Sequence, residues 1–436
     1  MARTITTIRG VVLGLAAMFW LAPTVVFAQT SKPNIVFILT DNLGYGEVGA
    51  YGGGITRGAP TLRIDSLARE GMRFTNFNME TQCTPSRSSL MTGRWAIRSG
   101  THSVPFGGVA DGLTQWEVTI GEALSEAGYA TGYYGKWHLG SHDGRLPNDQ
   151  GFDEWFGIPR TTDEALWPTS PGWSAEIMAA EQIMEGRKGE KSRALGVYDV
   201  TQRRLIDAEI TRRAVSFIDK QSKSGRPFFV YVSLTQPHLP TEPNPAFKGR
   251  TGNGDWADVL TEMDSNVGNV LDAVDRAGAR DNTIVIFTSD NGPEYFRPWD
   301  GWAGPWRGQY FTALEGGIRV PFMIRWPGKI AAGRESNEIV HGVDMFATLG
   351  RFGAAKVPTD RAVRQHRPVG LLPWQDGQVR ARRVSHLVRR PPSSGEVAQL
   401  ETALLSAGHD VRPAGPQSRP HDFQPLHRPA RGKADT

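Results

Sequence analysis

Cys83 is the single cysteine of this 436-residue chain, and its neighbours suit chemistry better than packing. One thiol cannot form an internal disulfide, and it cannot supply the several soft ligands of a zinc or iron–sulfur site. An isolated cysteine is more often a small buried hydrophobe. Here Pro85, Ser86 and Arg87 follow closely and do not make an apolar pocket. A thiol in polar, cationic surroundings indicates a reactive residue, and a helix expected to start near Pro85 or Ser86 would direct anion-binding N–H groups at it.

Two Asp-Asn pairs offer oxygen ligands at two distant points of the chain. Asp41–Asn42 and Asp290–Asn291 each follow an apolar run. Carboxylate and amide oxygens suit Ca²⁺, and also Mg²⁺, better than zinc. For either pair alone, turn chemistry after a strand is the simpler interpretation. Two pairs in one chain with a reactive cysteine favour a cation site instead. Its predicted ligands are Asp41, Asn42, Asp290 and Asn291.

Three further residues can carry protons or positive charge. Lys136 and His138 are one residue apart, so on an extended segment their side chains would point the same way. His238 follows an apolar run and lies between Pro237 and Pro240, which restrict its loop. A lone histidine is more often structural, but imidazole is also the side chain best suited to proton transfer near neutral pH.

The sequence around Cys83 resembles the signature of the sulfatases. Cys83-Thr-Pro-Ser-Arg87 is followed by Ser-Ser-Leu-Met-Thr-Gly93, and the resemblance extends from about Lys32 to about Pro358. In that family a maturation enzyme oxidises the cysteine to formylglycine, whose hydrate is the catalytic nucleophile. The resemblance therefore implies hydrolysis of sulfate monoesters, with a sulfated small molecule or glycan as substrate.

The same resemblance implies roles for the other candidates. The two Asp-Asn pairs match the family's metal ligands, and the oxygen of the modified Cys83 would join them. Arg87 would steady the hydrated formylglycine. Lys136 would bridge a sulfate oxygen and the nucleophile. His238 would contact sulfate and protonate the leaving oxygen, and His138 would act as a base when the aldehyde re-forms.

Two positions depart from the family pattern. The first metal pair is more often Asp-Asp, so Asn42 removes one negative charge but keeps an oxygen ligand. Many sulfatases carry a lysine five residues before Glu-Gly-Gly, and Tyr310 occupies that place here. Arg307 lies nearby and is the candidate for the missing cationic contact to the substrate.

Apolar runs that alternate with helical patterns are expected to position these residues. We expect strands at 34–39, 130–134, 228–234, 283–288 and 320–324, and helices at 60–70, 120–127, 201–220 and 256–277. Such alternation predicts an α/β fold with a mixed, mostly parallel sheet between helical layers. The resemblance specifies the alkaline-phosphatase-like sandwich, with its C-terminal subdomain missing or replaced. In such a sheet the candidates meet beyond the carboxyl ends of four strands.

The N-terminal segment 1–28 predicts export. Arg3 and Arg9 precede an apolar run, and Val26-Phe27-Ala28 fits a signal-peptidase site. A membrane anchor is the alternative, but Pro23 and the cleavage site favour removal. We therefore expect a periplasmic or secreted protein, with no stable membrane anchor and a catalytic domain over 29–360.

The segment 361–436 differs from the rest in composition. It carries 13 basic and 6 acidic residues, 9 prolines and no isoleucine, tyrosine or asparagine. A disordered basic arm, a folded domain of unusual composition and an out-of-frame translation of a GC-rich gene all fit this composition. The signal and this tail account for the basic pI, because 29–360 alone has a net charge of −5. The charge therefore gives no reason to expect nucleic-acid binding.

Two rival functions remain open at this point. A phosphonate or phosphate ester hydrolase of the same superfamily can also use formylglycine. An inactive relative that binds sulfate or glycan is the second rival, because the tyrosine at position 310 and the unusual tail both depart from the family pattern.

Overall fold

A computed structural model describes residues 32–105, 112–296 and 299–364. The predicted signal segment 1–28 and all but the first four residues of the tail lie outside this part of the chain. Within it, no helix is both long and apolar enough to cross a membrane.

The strands are short and mostly buried. Their bounds are β1 Asn34–Asp41, β2 Met72–Phe74, β3 Phe77–Asn78, β4 Ala130–Lys136, β5 Glu154–Ile158, β6 Gln182–Arg187, β7 Arg193–Val197, β8 Phe228–Pro237, β9 Thr283–Ser289, β10 Tyr295–Phe296, β11 Trp299–Asp300, β12 Phe322–Arg325, β13 Arg334–Ser336 and β14 Val340–His341. Over the described residues, ten of them form one sheet in the order β13-β2-β12-β9-β1-β8-β4-β5-β6-β7. The five central strands, β9 to β5, run parallel, and antiparallel pairs flank them on both sides.

Helices cover both faces of this sheet. Their bounds are α1 Leu62–Glu70, α2 Cys83–Thr92, α3 Ala96–Ser99, α4 Ile120–Glu126, α5 Val200–Arg203, α6 Ile206–Ser222, α7 Asp255–Arg276, α8 Glu315–Ile318 and α9 Met345–Phe352. Along β1, Ile35 and Phe37 pack into the core beneath α2, α4 and α9, whereas Val36 and Ile38 pack into the core beneath α1, α6 and α7. A strand buried on both faces needs a continuous apolar run, which explains the sequence of β1. The predicted mixed α/β architecture is confirmed.

Two predicted helix bounds were wrong. Helix α2 begins at Cys83 itself and not near Pro85, because proline in the first helical turn gives up an N–H that would be unpaired anyway. The helix predicted over 201–220 is two helices, since the chain turns at Arg204 and Leu205 between α5 and α6. The side chain of Asp199 caps α5 by accepting from the Gln202 N–H.

The described start of the tail packs against the preceding part of the chain. The Arg364 N–H donates to Gly93 O at 2.8 Å, and its guanidinium lies 2.8 Å from the Asp344 carboxylate. Val363 packs against the core that contains α9. The chain therefore keeps contact with the body for four residues beyond the boundary predicted at 360, and residues from 365 onward lie outside the description.

Candidate active site

The candidate residues converge at the carboxyl edge of the parallel strands. Asp41 ends β1, Lys136 ends β4, and Asp290 directly follows β9. Cys83 begins α2, and His238 directly follows β8. All are buried, together with Asn42, Arg87, His138 and Asn291. The edge predicted from the strand pattern is therefore where the structure brings them together.

Cys83 lies at the centre of this cluster. Its Sγ is 3.5 Å from Asp41 Oδ1, 3.6 Å from Asn42 Oδ1 and 3.4 Å from the Tyr310 hydroxyl. Cys83 is the first residue of α2, so its own N–H and that of Thr84 have no acceptor within the helix, whereas Pro85 has no N–H and the Ser86 N–H donates to Gln82 O. Burial raises the pKa of the Cys83 thiol well above its ordinary value, so the unmodified cysteine stays protonated.

The two Asp-Asn pairs pack against each other. The Asn42 N–H donates to Asp290 Oδ1 at 3.0 Å, and Asn291 Nδ2 donates to Asn42 Oδ1. Asn42 has φ 57°, a left-handed conformation that asparagine tolerates better than most residues. The buried Asn291 Oδ1 has no hydrogen-bond partner among the described residues. An unpaired buried oxygen on the residue that follows Asp290 fits a hard divalent cation.

His238 also lies near these ligands. One ligand atom from each of Asp41, Cys83 and His238 falls within 4.8 Å of the other two. With the oxygens of Asn42, Asp290 and Asn291, the donor set is rich in oxygen, which suits Ca²⁺ or Mg²⁺ better than a thiolate-seeking metal.

Two buried cations balance the two carboxylates. Lys136 Nζ is 2.7 Å from Asp41 Oδ2, and the Arg87 guanidinium is 2.8 Å from Asp290 Oδ2 and 3.4 Å from Asp41 Oδ2. Burial alone would raise the pKa of Asp41, but Lys136, His238 and Arg87 together lower it. Burial and the charge of Asp41 raise the pKa of Asp290. Asp41 therefore stays ionised and remains paired with Lys136 and Arg87.

The backbone before Lys136 requires glycine. Gly135 has φ 125°, and a Cβ there would lie 1.7 Å from Ser233 O on β8. The Lys136 carbonyl accepts hydrogen bonds from Arg87 Nη1 and Ser233 Oγ, both at 2.8 Å. Close strand approach and these bonds fix the end of β4, so the lysine side chain is directed at Asp41.

His138 is buried in the same cluster, but not for the predicted reason. The chain is not extended there, because His138 has φ 57° and lies beyond the end of β4. Burial, with the charges of Lys136 and Arg87, lowers the pKa of His138 well below its ordinary value. Neither ring nitrogen has a hydrogen-bond partner among the described residues. His138 is therefore a neutral imidazole with an available acceptor.

His238 is oriented by its own loop and by a buried glutamate. Its Nδ1 lies 2.7 Å from Leu239 O, and its Nε2 lies 3.7 Å from Glu294 Oε1. Glu294 also accepts from the Leu239 N–H at 3.0 Å. Since the Leu239 carbonyl can only accept, Nδ1 carries the proton, and Nε2 is the nitrogen free to exchange protons with a ligand.

The buried Arg203 stabilises the loop that carries His238. The Arg203 guanidinium donates to His238 O at 2.9 Å, Pro240 O at 3.1 Å and Thr235 Oγ1 at 3.0 Å, and it pairs with Asp207 at 3.2 Å. Asp207 in turn accepts from the Thr235 N–H at 2.7 Å. The turn between α5 and α6 places Arg203 and Asp207 where they can bind both sides of the loop.

Sequence reasoning missed the roles of Tyr310, Glu294 and Arg203. Tyr310 was noted only as the place of a missing lysine, yet its hydroxyl reaches Cys83. Arg307, the predicted substitute, is exposed, and in the described residues no contact joins its guanidinium to the cluster. The only local signal for Arg203 is its i,i+4 spacing to Asp207, because the loop carbonyls that it binds lie more than thirty residues away.

Comparison with known proteins agrees with this geometry. Residues 33–352 match the family model described as Sulfatase. The chain is 34% identical to mouse arylsulfatase G, over 90% of this chain and 79% of the relative, and 34% identical to human arylsulfatase A, over 79% and 69%. The solved structure of the PsFucS1 sulfatase from Pseudoalteromonas is similar with a TM-score of 0.70 and 35% identity, and it covers 75% of this chain and 68% of that one. The chain therefore belongs to the sulfatase family of the alkaline phosphatase superfamily and is a sulfuric ester hydrolase.

Proposed function

We propose that this chain hydrolyses sulfate monoesters at Cys83, after conversion of Cys83 to formylglycine and with a divalent cation bound beside it. The observation that carries the proposal is the position of Sγ. It lies at the first residue of α2, within 3.6 Å of oxygens from Asp41 and Asn42, inside a buried cluster that also holds Lys136 and Arg87. Burial raises the pKa of the Cys83 thiol, which makes the unmodified residue a poor nucleophile and supports modification as the source of its reactivity.

The oxygens of Asp41, Asn42, Asp290 and Asn291 and the side chain of residue 83 would hold the cation, most suitably Ca²⁺, with Mg²⁺ as the alternative. When bound, a divalent cation supplies charge stabilisation for a sulfuryl group and for the oxygen at residue 83, and formylglycine supplies a geminal hydroxyl as nucleophile. Arg87 pairs with both Asp41 and Asp290, so it offsets the repulsion between the two carboxylates and fixes both relative to α2.

The chain's own residues provide the anion site and the proton transfers. Lys136 Nζ and the N–H groups at the start of α2 attract the negatively charged ester. His238 Nε2 delivers a proton to the leaving oxygen, and Glu294 stabilises the protonated imidazole from 3.7 Å. His138 is neutral because of its burial, so one of its unpaired nitrogens can accept a proton from residue 83.

A sulfated small molecule or glycan is the substrate class that we infer. A solved structure that holds a glycan supports it: Ps i-CgsB in complex with k-i-k-neocarrahexaose is 28% identical, with a TM-score of 0.62 over 76% of this chain and 74% of that one. We further propose that a maturation enzyme acts on Cys83, and that the segment 1–28 directs the chain to the periplasm or outside the cell.

Co-expression with a formylglycine-generating enzyme, followed by rate measurements on an aryl sulfate and the matching aryl phosphonate, tests the proposal. Mass spectrometry of the Cys83 peptide reports the modification in the same sample. We expect conversion of Cys83 and a higher kcat/KM for the sulfate. Faster phosphonate hydrolysis would favour the rival hydrolase, and cation and sulfate binding without turnover would favour an inactive binding protein.

A further inference from the structure

Tyr310 lies inside the buried cluster and is held there by its backbone. The Tyr310 N–H donates to Pro293 O at 2.9 Å, and the next N–H, of Phe311, donates to Thr81 O at 3.0 Å. Phe311 has φ 69°, which is costly for an aromatic residue and persists only where surrounding contacts fix it. These contacts join Tyr310 both to the loop after β9 and to the segment before Cys83, so its side chain is positioned in advance.

The contacts around Cys83 indicate which group donates the hydrogen bond between Cys83 and Tyr310. The Cys83 thiol has one hydrogen, while the two oxygens beside it, Asp41 Oδ1 and Asn42 Oδ1, can only accept. An ionised carboxylate is the strongest of the three acceptors, so we assign the thiol hydrogen to Asp41 Oδ1. Either atom can be the donor in the third contact, and with the thiol hydrogen on Asp41 the Tyr310 hydroxyl donates to Sγ at 3.4 Å. Among the described residues, Cys83 is the only side chain within hydrogen-bond reach of that hydroxyl.

The same phenol lies beside His238. The two ring centroids are 6.5 Å apart in an edge-on arrangement, and His238 shares the 4.8 Å ligand cluster with Asp41 and Cys83. A group bound between Cys83 and His238 would therefore meet the Tyr310 hydroxyl. The formal charges of Asp41, Asp290, Arg87 and Lys136 already cancel, so a neutral donor at this point adds a hydrogen bond without adding charge.

We propose that Tyr310 is a further catalytic residue, whose hydroxyl donates a hydrogen bond to the side chain of residue 83 and to a tetrahedral oxyanion bound beside it. The identity of that anion as sulfate rests on the proposed function. Tyr310 thereby makes a neutral contact at the position where many sulfatases carry a lysine. Arg307 is not needed for that contact.

Binding of inorganic sulfate to the unmodified, calcium-loaded protein tests this without turnover. Isothermal titration calorimetry would compare wild type with Tyr310→Phe, and with Tyr129→Phe as a matched control. Tyr129 is also buried and donates to Pro33 O at 2.9 Å, but at the opposite edge of the sheet. A hydrogen bond to a charged group is worth about 10- to 100-fold in affinity, so sulfate should bind that much more weakly to Tyr310→Phe and equally to Tyr129→Phe.

Activity of the formylglycine form separates failure of this inference from failure of the proposed function. A drop in kcat/KM of at least about tenfold for Tyr310→Phe, with Tyr129→Phe unchanged, is the expected result. Wild-type turnover with equal sulfate binding and equal rates in Tyr310→Phe would overturn the role of Tyr310 alone. Sulfate binding that depends on Tyr310, in a protein without turnover, would overturn the proposed function alone.

Urea unfolding shows whether each variant is folded. If Tyr310→Phe is not, Tyr310→Lys and Tyr310→Met replace it, because both reach a similar distance and only the lysine can donate. We expect the lysine variant to bind sulfate at least about tenfold more tightly than the methionine variant, and equal affinities would contradict the proposal.

Discussion

Replacement of Arg203 should damage catalysis through His238, although Arg203 touches no reacting atom. Its buried guanidinium donates to two carbonyls of the loop that carries His238 and to Thr235 near the end of β8, and it pairs with Asp207. In Arg203→Met the apolar stem is kept and all of these contacts are lost. The His238 and Pro240 carbonyls lose a donor, and the buried Asp207 carboxylate loses its counter-ion.

The magnitude follows from burial. Removal of one partner of a fully buried ion pair costs about 3–5 kcal/mol, so Arg203→Met should unfold at clearly lower urea concentration. A catalytic group displaced by about 1 Å can lose about 100-fold in rate, and we expect kcat to fall by about that factor because His238 protonates the leaving group. KM should change much less than kcat, since Lys136 and the start of α2, which attract the ester, are untouched.

Stopped assays of sulfate release and urea unfolding together test this reasoning. The double variant Arg203→Met/Asp207→Asn should recover stability to within about 2 kcal/mol of wild type, because no buried carboxylate is left unpaired, but it should not recover kcat. Arg213→Met is the control on helix α6. Its partly exposed pairs with Glu185 and Glu209 should contribute under about 1 kcal/mol, and its rate should equal that of wild type. Recovery of kcat in the double variant would refute a positioning role for Arg203.

Two further predictions concern the metal site and pH. Asp290→Ala should lose both the bound divalent cation, measured by metal analysis of the purified protein, and at least about 100-fold in activity; chelation that leaves the wild-type rate unchanged would contradict the metal site. Burial raises the pKa of Glu262 to about 7, so folding favours its protonated form and its contribution to stability is lost as pH rises from about 4.5 to 7. Glu262→Gln should therefore match wild type near pH 4.5 and exceed it by up to about 3 kcal/mol at pH 8 in urea unfolding, and parallel pH profiles would show the assignment to be wrong.

The central strands and the edge where the site lies were predictable, because both depend on local pattern. Residues 35–39 form an apolar run flanked by Asn34 and Thr40, and a strand buried on both faces is the simplest structure for it. Once the sheet is parallel, the polar residues after β1, β4, β8 and β9 must meet. The structure extends those strands by one to three residues, into the polar ends that bear Asp41 and Lys136.

Contacts made over long sequence distances were not predictable. Tyr310 reaches Cys83 because the loop around it is bonded to Pro293 and Thr81, and nothing in the local sequence reports those bonds. His138 was expected on an extended segment, but a bond from its N–H to Pro159 O accompanies a left-handed turn. Sequence periodicity describes one element at a time, whereas these positions depend on pairs of loops.

Sulfate release by wild type and by Cys83→Ala, both made with the maturation enzyme, tests the central claim most directly. A panel of aryl sulfates and sulfated oligosaccharides, with free sulfate measured by ion chromatography, covers the inferred substrate class. We expect sulfate release by wild type on at least one member and none above background by the variant. Among the described side chains, Cys83 alone contacts both Asp41 Oδ1 and Asn42 Oδ1, so no other residue can take its place. Equal release by Cys83→Ala, or no release by wild type whose residue 83 is fully converted, would contradict the account.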